Sequence, residues 1–252
     1  MKIRNKTLSI VIPCKNEGDN IIKTLDTIYE QSFIENIDVI IADNSDDNYT
    51  FNLIIENTNK YSDKLNIKLI KGGYPSEARA NGANMVESEY ILFLDADIIL
   101  LNNYLIFETV VEILYNDLDL VTVKFKTDKN YNYIYKIFHL LQNIGIFFNI
   151  VFAVGGFQLW KNKTYKKFGG YLPELLFAED YWLSSKVKPE KFLISNNYVY
   201  TSSRRFKIKG IKYMIKMMIL SYLNRNNIDF FKNHHNYWNS KLSTHAKRWD
   251  GL

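Results

Sequence analysis

Along the first 125 residues, short solid apolar runs alternate with stretches in which apolar residues recur every three or four positions. The solid runs, at 8–13, 38–42, 67–70, 90–94 and 120–125, predict strands. The run at 90–94, which lacks polar alternation, predicts a parallel sheet covered on both faces. Between them, 19–31 predicts a helix with Ile21, Ile22, Leu25 and Ile28 on one face. Further helices are predicted at about 50–60, at 75–86 and at 103–115. Pro75 stands early in the third, where its missing N–H does no harm. Repeated strand–helix units imply right-handed crossovers and an α/β fold with a mainly parallel, doubly wound sheet.

The pattern loosens afterwards. Residues 131–154 are apolar and aromatic but interrupted by Lys136, His139, Gln142, Asn143 and Asn149. Gly155-Gly156 and Gly169-Gly170 punctuate the chain, and 192–201 predicts a late strand. Residues 208–223 have a helical period, with Ile208, Ile211, Ile215, Met218, Ile219 and Tyr222 broadly on one side and Lys209, Lys212 and Lys216 elsewhere. The last thirty or so residues are polar with scattered aromatics and suggest no role.

Composition narrows the classes. With 252 residues, 47% apolar and 15% aromatic, the chain has ample material for a core, which excludes global disorder. A single cysteine, Cys14, excludes an internal disulfide framework. It lies in an apolar run and reads as a small buried residue. No signal-peptide pattern is visible, and no run reaches the roughly 18 apolar residues of a spanning helix. A cytoplasmic location is expected. The net charge of +5 is uneven, because basic residues far outnumber acids over 161–216. That half therefore suits an anionic partner. A basic helix with one apolar side, as at 208–223, predicts peripheral attachment to an anionic membrane surface. Neither a Gly-x-Gly-x-x-Gly after the first strand nor a P-loop is present, which removes the main support for dinucleotide redox chemistry and P-loop hydrolysis. Cys/His zinc spacing is also missing, and His234-His235 reads as a surface pair.

The chemistry concentrates after strands. Asp95 and Asp97 follow the run at 90–94, where open α/β sheets bind ligands. With no Lys or Arg adjacent in sequence, two acids there are costly unless a cation sits between them. A hard divalent ion completed by phosphate oxygens fits. Glu17 closes Pro13-Cys14-Lys15-Asn16-Glu17, Asp43 opens Asp43-Asn44-Ser45, and Arg79 precedes Asn81-Gly82. Each has an ordinary alternative: turn chemistry for Asp43, first-turn acids for Glu17, Asp19 and Glu179-Asp180, a solvated helix charge for Arg79.

In order, these residues resemble family 2 glycosyltransferases. The matching text is Ser9 to Glu17, Val39 to Ser45, Ala78 to Gly82, Glu89 to Asp97, Phe168-Gly-Gly-Tyr171 and Ala178-Glu-Asp180, together spanning about 8–205. The resemblance implies a glycosyltransferase A-type fold, a nucleotide-diphosphate sugar donor (UDP-sugar before GDP-sugar), Mn²⁺ or Mg²⁺, inversion at the anomeric carbon, and a hydroxyl acceptor on a glycan or lipid carrier. It implies donor contacts from Pro13, Glu17, Asp43, Arg79, Asp95, Ala96 and Asp97. Asp43 would face the base with Glu17 near the nucleoside, Arg79 would approach the diphosphate, and Asp95 and Asp97 would serve ribose and metal, Asp97 foremost for the metal. Asp180 would be the general base. Glu179, Gly156, Arg204 and Arg205 are further candidates for phosphate or acceptor contact. The chain departs from the family at Ala42, where an acid often stands, and at Tyr171, where phenylalanine is usual.

The implied organisation is a catalytic domain at 1–205, with a donor half at about 1–125 and an acceptor half at about 126–205. A basic, partly amphipathic helical segment follows at 206–252. Two other readings remain. A nucleotidyltransferase should carry a Gly-rich basic loop after the first strand, which Pro13-Cys14-Lys15-Asn16 matches poorly. A non-catalytic binder of nucleic acid or another anionic surface would use the basic second half with its interleaved aromatics. It has no need of acids at successive strand ends, so no nucleic-acid partner is expected.

Overall fold

The computed structural model describes residues 1–46, 48–233, 235 and 237. In chain order the elements are β1 (Leu8–Cys14), α1 (Asp19–Tyr29), β2 (Ile37–Asp43), α2 (Tyr49–Asn57), β3 (Leu65–Lys71), α3 (Pro75–Ala83), β4 (Tyr90–Leu94), β5 (Ile99–Leu100) and α4 (Leu105–Tyr115). There follow β6 (Leu120–Lys126), α5 (Asn132–Phe147), β7 (Phe157–Lys161), α6 (Asn162–Lys167), α7 (Glu179–Ser184), β8 (Phe192–Tyr200), α8 (Arg204–Lys209), α9 (Ile211–Leu223) and α10 (Ile228–Lys232). The predicted strand at 90–94 matches β4 at both ends.

One sheet carries all eight strands in the order β3-β2-β1-β4-β7-β6-β8-β5. Strands β3, β2, β1 and β4 are parallel, as are β6 and β8. Strand β7 runs antiparallel to both β4 and β6, and β5 antiparallel to β8. The expected mainly parallel sheet is therefore a mixed one. Phe-Gln-Leu-Trp-Lys of β7 gave no strand signal, since it is short and carries Gln158 mid-run. Its insertion keeps β6 from pairing with β4.

Side chains alternate across the sheet, so each strand feeds two cores. Ile10 and Ile12 of β1 join Ile21, Leu25, Leu92 and Leu105 on one face, and Val11 joins Ala80, Phe93 and Leu183 on the other. Each fully buried aliphatic side chain contributes about 1.5–3 kcal/mol. Helix α3 lies unusually close to the sheet because a Cβ at Gly82 would come within 2.4 Å of Val11 Cγ1.

Chain order places the switch point between β1 and β4. The chain steps from β1 outward to β3, then returns across β1 to build β4. Their carboxyl ends part there and open a crevice. Pro13 helps, because it has no N–H to extend a ladder towards β4, and that ladder ends at Val11↔Phe93.

The single helix predicted at 208–223 is divided at Gly210, whose φ of 77° ends α8. The C-terminal helices return to α7. Phe231 of α10 is fully buried against Tyr181 and Trp182 of α7. Its carbonyl accepts N–H bonds from Leu176 and Phe177. His234 and the residues after 237 lie outside the described residues; His235, read as half of a surface pair, is instead half-buried, its ring packed on Phe177 and Phe230 and its Nε2 2.8 Å from the Phe230 carbonyl. No helix among the described residues is long and apolar enough to cross a membrane.

Candidate active site

The loops after β1 and β2 are laced together. Asn16 takes a left-handed turn, and its N–H donates to Ser45 Oγ at 2.8 Å. Its side-chain amide exchanges two hydrogen bonds with Asp46. Ser45 donates both its N–H and its hydroxyl to Asp43 Oδ1, at 3.1 and 2.5 Å. Asp43 is fully buried beside Cys14. Burial, then the charges of Asp43 and Glu17, push the Cys14 thiol well above its ordinary pKa, which agrees with its reading as an inert core residue. The enclosed Asp43 carboxylate orders the Asn44-Ser45 turn beside the end of β1.

At the end of β4, backbone bonds hold the Asp95-Ala96-Asp97 turn. Asp95 N–H donates to the Gly156 carbonyl, Ile98 N–H to the Asp95 carbonyl, and Thr24 Oγ1 to the Ala96 carbonyl. Gly156 thus shapes the rim through its backbone.

Arg79 connects the two sides of the crevice. Its Nη2 donates to Asp95 Oδ1 and its Nη1 to Glu179 Oε1, both at 2.6 Å. The guanidinium lies 5.3 Å from the Tyr171 ring centroid and is 3% exposed. Burial opposes its charge, but the fields of Asp95, Tyr171, Glu179 and Asp180 outweigh that and raise its pKa. Arg79 therefore holds the Asp95 and Glu179 carboxylates in place. The basic side chains that line the opening come from α8. Arg204 Nη2 is 2.7 Å from Glu17 Oε1 and 3.9 Å from Asp97 Oδ2. Arg205 donates to the Tyr237 hydroxyl at 2.8 Å and lies against that ring, within the fields of Asp95 and Asp97.

Asp180 faces the crevice from the first turn of α7. Ala178 precedes it at φ 46°, a left-handed conformation that costs a residue with a Cβ about 1–3 kcal/mol and is met at functional sites. Asp180 Oδ2 accepts the Gly155 N–H at 2.8 Å, and Oδ1 accepts the N–H of Tyr181. A Cβ on Gly155 would lie 2.6 Å from Arg79 Nη2 and 3.4 Å from Asp180 Cβ, so only glycine permits this approach. The Gly155-Gly156 pair was the sequence signal for this contact, but Gly155 itself read only as a break in the pattern. Tyr237 gave no sequence signal.

Five carboxylates (Glu17, Asp95, Asp97, Glu179 and Asp180) meet three guanidiniums. Burial, then the charges of Asp95 and Glu17, push Asp97 up to about 6. Burial, with Arg79 opposing and Asp180 adding to it, pushes Glu179 up to about 7. Asp180 is also raised, first by burial. This surplus of negative charge is the condition a divalent cation relieves. Asp97 and Asp95 are the residues that would hold one. Among the described residues no three His, Cys, Asp or Glu side chains form a group that could hold a metal ion.

Comparison with known proteins bears on the fold and the family. Amylovoran biosynthesis glycosyltransferase AmsB of Erwinia amylovora is 34% identical over 38% of this chain and 32% of its own. Poly(ribitol-phosphate) beta-N-acetylglucosaminyltransferase TarP of Staphylococcus aureus is 26% identical over 77% of this chain and 62% of its own. The chain thus spans about a third of one relative and under two thirds of the other. Among solved structures, mannosyltransferase PcManGT from Pyrobaculum calidifontis, in complex with GDP-Man and Mn²⁺, has a TM-score of 0.67 at 14% identity, covering 86% of this chain and 64% of that one. S. aureus TarS 1-349, in complex with UDP-GlcNAc, has a TM-score of 0.63 at 20% identity, covering 92% and 73%. These likenesses establish the glycosyltransferase A-type fold. The model of glycosyl transferase family 2 matches residues 9–169, well over half of the sequence, and the chain belongs to that family.

Proposed function

We propose that the protein moves a sugar from a nucleotide-diphosphate sugar, UDP-sugar before GDP-sugar, to a hydroxyl on a glycan or lipid-linked acceptor, with inversion and with a divalent cation. The observation that carries this is the Arg79 bridge. It ties the strand-end acid Asp95 to Glu179, whose neighbour Asp180 lies within the field of Asp95.

Single displacement needs a base on the attacking side. Asp180 suits it, because burial strengthens the carboxylate as a base while two backbone N–H groups fix its orientation. Glu179 is excluded from that task by its bond to Arg79 and its 5% exposure. Asp97, aided by Asp95, would hold Mn²⁺ or Mg²⁺, which when bound acts as a Lewis acid towards the departing diphosphate. Arg204, which partners Glu17 here, is placed to meet phosphate oxygens with its planar fork. The turn from Pro13 to Glu17 and the Asn44-Ser45 wall would enclose the nucleoside.

The test compares melting temperatures with UDP or GDP, with and without Mn²⁺, since a ligand of the native state raises them. A rise that requires both nucleotide and metal is expected, and Asp97→Asn should abolish it. Asp180→Asn should keep the rise while transfer falls about a hundredfold to ten-thousandfold. Full transfer by Asp180→Asn would refute the assignment.

A further inference from the structure

Helix α5 is built inside out. Its inward side carries His139, Gln142 and Gly145, buried against the fold. His139 Nε2 accepts the Phe125 N–H at 2.8 Å, and Gln142 donates to the Phe152 carbonyl at 2.9 Å. Its apolar residues Ile137, Leu140, Ile144 and Phe147 recur at helical spacing on the opposite side and are exposed, Phe147 at 82%. Phe148 continues the stripe. Helix α9 repeats the arrangement, with Met217 and Ser221 inward and Ile215, Ile219 and Leu223 exposed. Soluble helices place such stripes against a core, and outward ones mark docking surfaces.

Charge identifies what the face meets. No Asp or Glu occurs from residue 129 to 173, nor from 191 to 228, so the segments carrying both stripes contain only basic charges. Phe206 of α8 packs against Tyr131 and Tyr135, which attaches Lys207, Lys209, Lys212 and Lys216 beside the start of α5. At that same end Lys126, Lys129 and Lys136 line a cleft of about 490 Å³ with Asn132, Tyr133 and Tyr200. A second copy of this chain would bring lysines against lysines in a self-complementary contact. An anionic lipid surface satisfies both the apolar stripes and their basic surround.

We propose that α5 and α9 dock the protein on an anionic phospholipid bilayer, their outward stripes entering the interfacial layer and the lysines at the start of α5 meeting lipid phosphates. The inference stands independently of the transfer reaction.

The experiment is co-sedimentation of the full chain with phosphatidylglycerol–phosphatidylcholine vesicles and with phosphatidylcholine alone, at low and raised salt. Binding to the anionic vesicles, weakened by salt, is expected. Ile144→Ser combined with Phe147→Ser should lower partition at least tenfold. Lys129→Gln combined with Lys136→Gln should lower it about 25-fold, about fivefold per lysine. Circular dichroism should show both variants folded, because the altered side chains point outward. Equal recovery in the supernatant with and without anionic vesicles would overturn the proposal, as would undiminished binding by both variants. A stable dimer in light scattering that the Phe147 variant abolishes would assign the face to self-association instead.

Discussion

At the scale of single residues, the site is defined by how few cations surround its carboxylates. Asp97 is the clearest case. Its pKa rises on folding from 3.8 to about 6, first through burial and then through Asp95 and Glu17. A carboxyl whose pKa rises in this way favours the native state while protonated. That contribution is full below the unfolded value and is lost as pH climbs through about 6. At pH 8 the metal-free protein therefore carries a repulsive charge that Asn would not. Asp97→Asn should melt higher than the parent at pH 8 in EDTA, by about 2–4 °C per kcal/mol of repulsion removed. The gain should disappear towards pH 4. A variant that is less stable than the parent at pH 8 would show that Asp97 is already compensated. The trade of stability for a charged site is common where function needs the charge.

At the scale of elements, α7 is short, with six residues, and cannot hold itself in place. Three supports position its Asp180: the Arg79–Glu179 ion pair, the Gly155 N–H, and the packing of Phe231 on Tyr181 and Trp182. The third comes from α10, in the segment that the sequence left without a role. Phe231→Ala should cost about 3–5 kcal/mol in urea unfolding, in the range for a fully buried aromatic. It should also lower kcat more than it weakens nucleotide and metal binding, because the loss falls on the side of the crevice that carries the base. Equal loss of both would indicate that α10 supports the whole crevice and not α7 in particular. The inside-out helix α5 belongs to this scale too. Its interruption by His139 and Gln142 was visible in the sequence as a flaw in an apolar run, whereas in the fold those two residues are the inward face.

At the scale of the molecule, the β4–β7 ladder and the Arg79 bridge join the first and second halves of the chain through one continuous sheet. Unfolding should therefore be a single transition. All four tryptophans stand at position 160 or later, so their fluorescence reports the second half alone, while far-ultraviolet circular dichroism reports both. Coincident urea midpoints are expected, and separated midpoints would show that the halves unfold independently. Period and punctuation were enough to determine β1 to β4 and the helices between them, because strands covered on both faces must be continuously apolar and the amphipathic helices carry a three-to-four-residue repeat. The residue order also placed Glu17, Asp95, Asp97 and Asp180 as the candidate chemistry. Only the tertiary structure decided that β7 runs antiparallel between β4 and β6, that Arg79 is enclosed by Asp95 and Glu179, that Asp43 is covered, and that Arg204 reaches Glu17. Those outcomes depend on contacts between residues 16 to 187 positions apart. Burial, which sets both the pairing and the charge state, is a property of the packed whole and leaves no local trace in the chain.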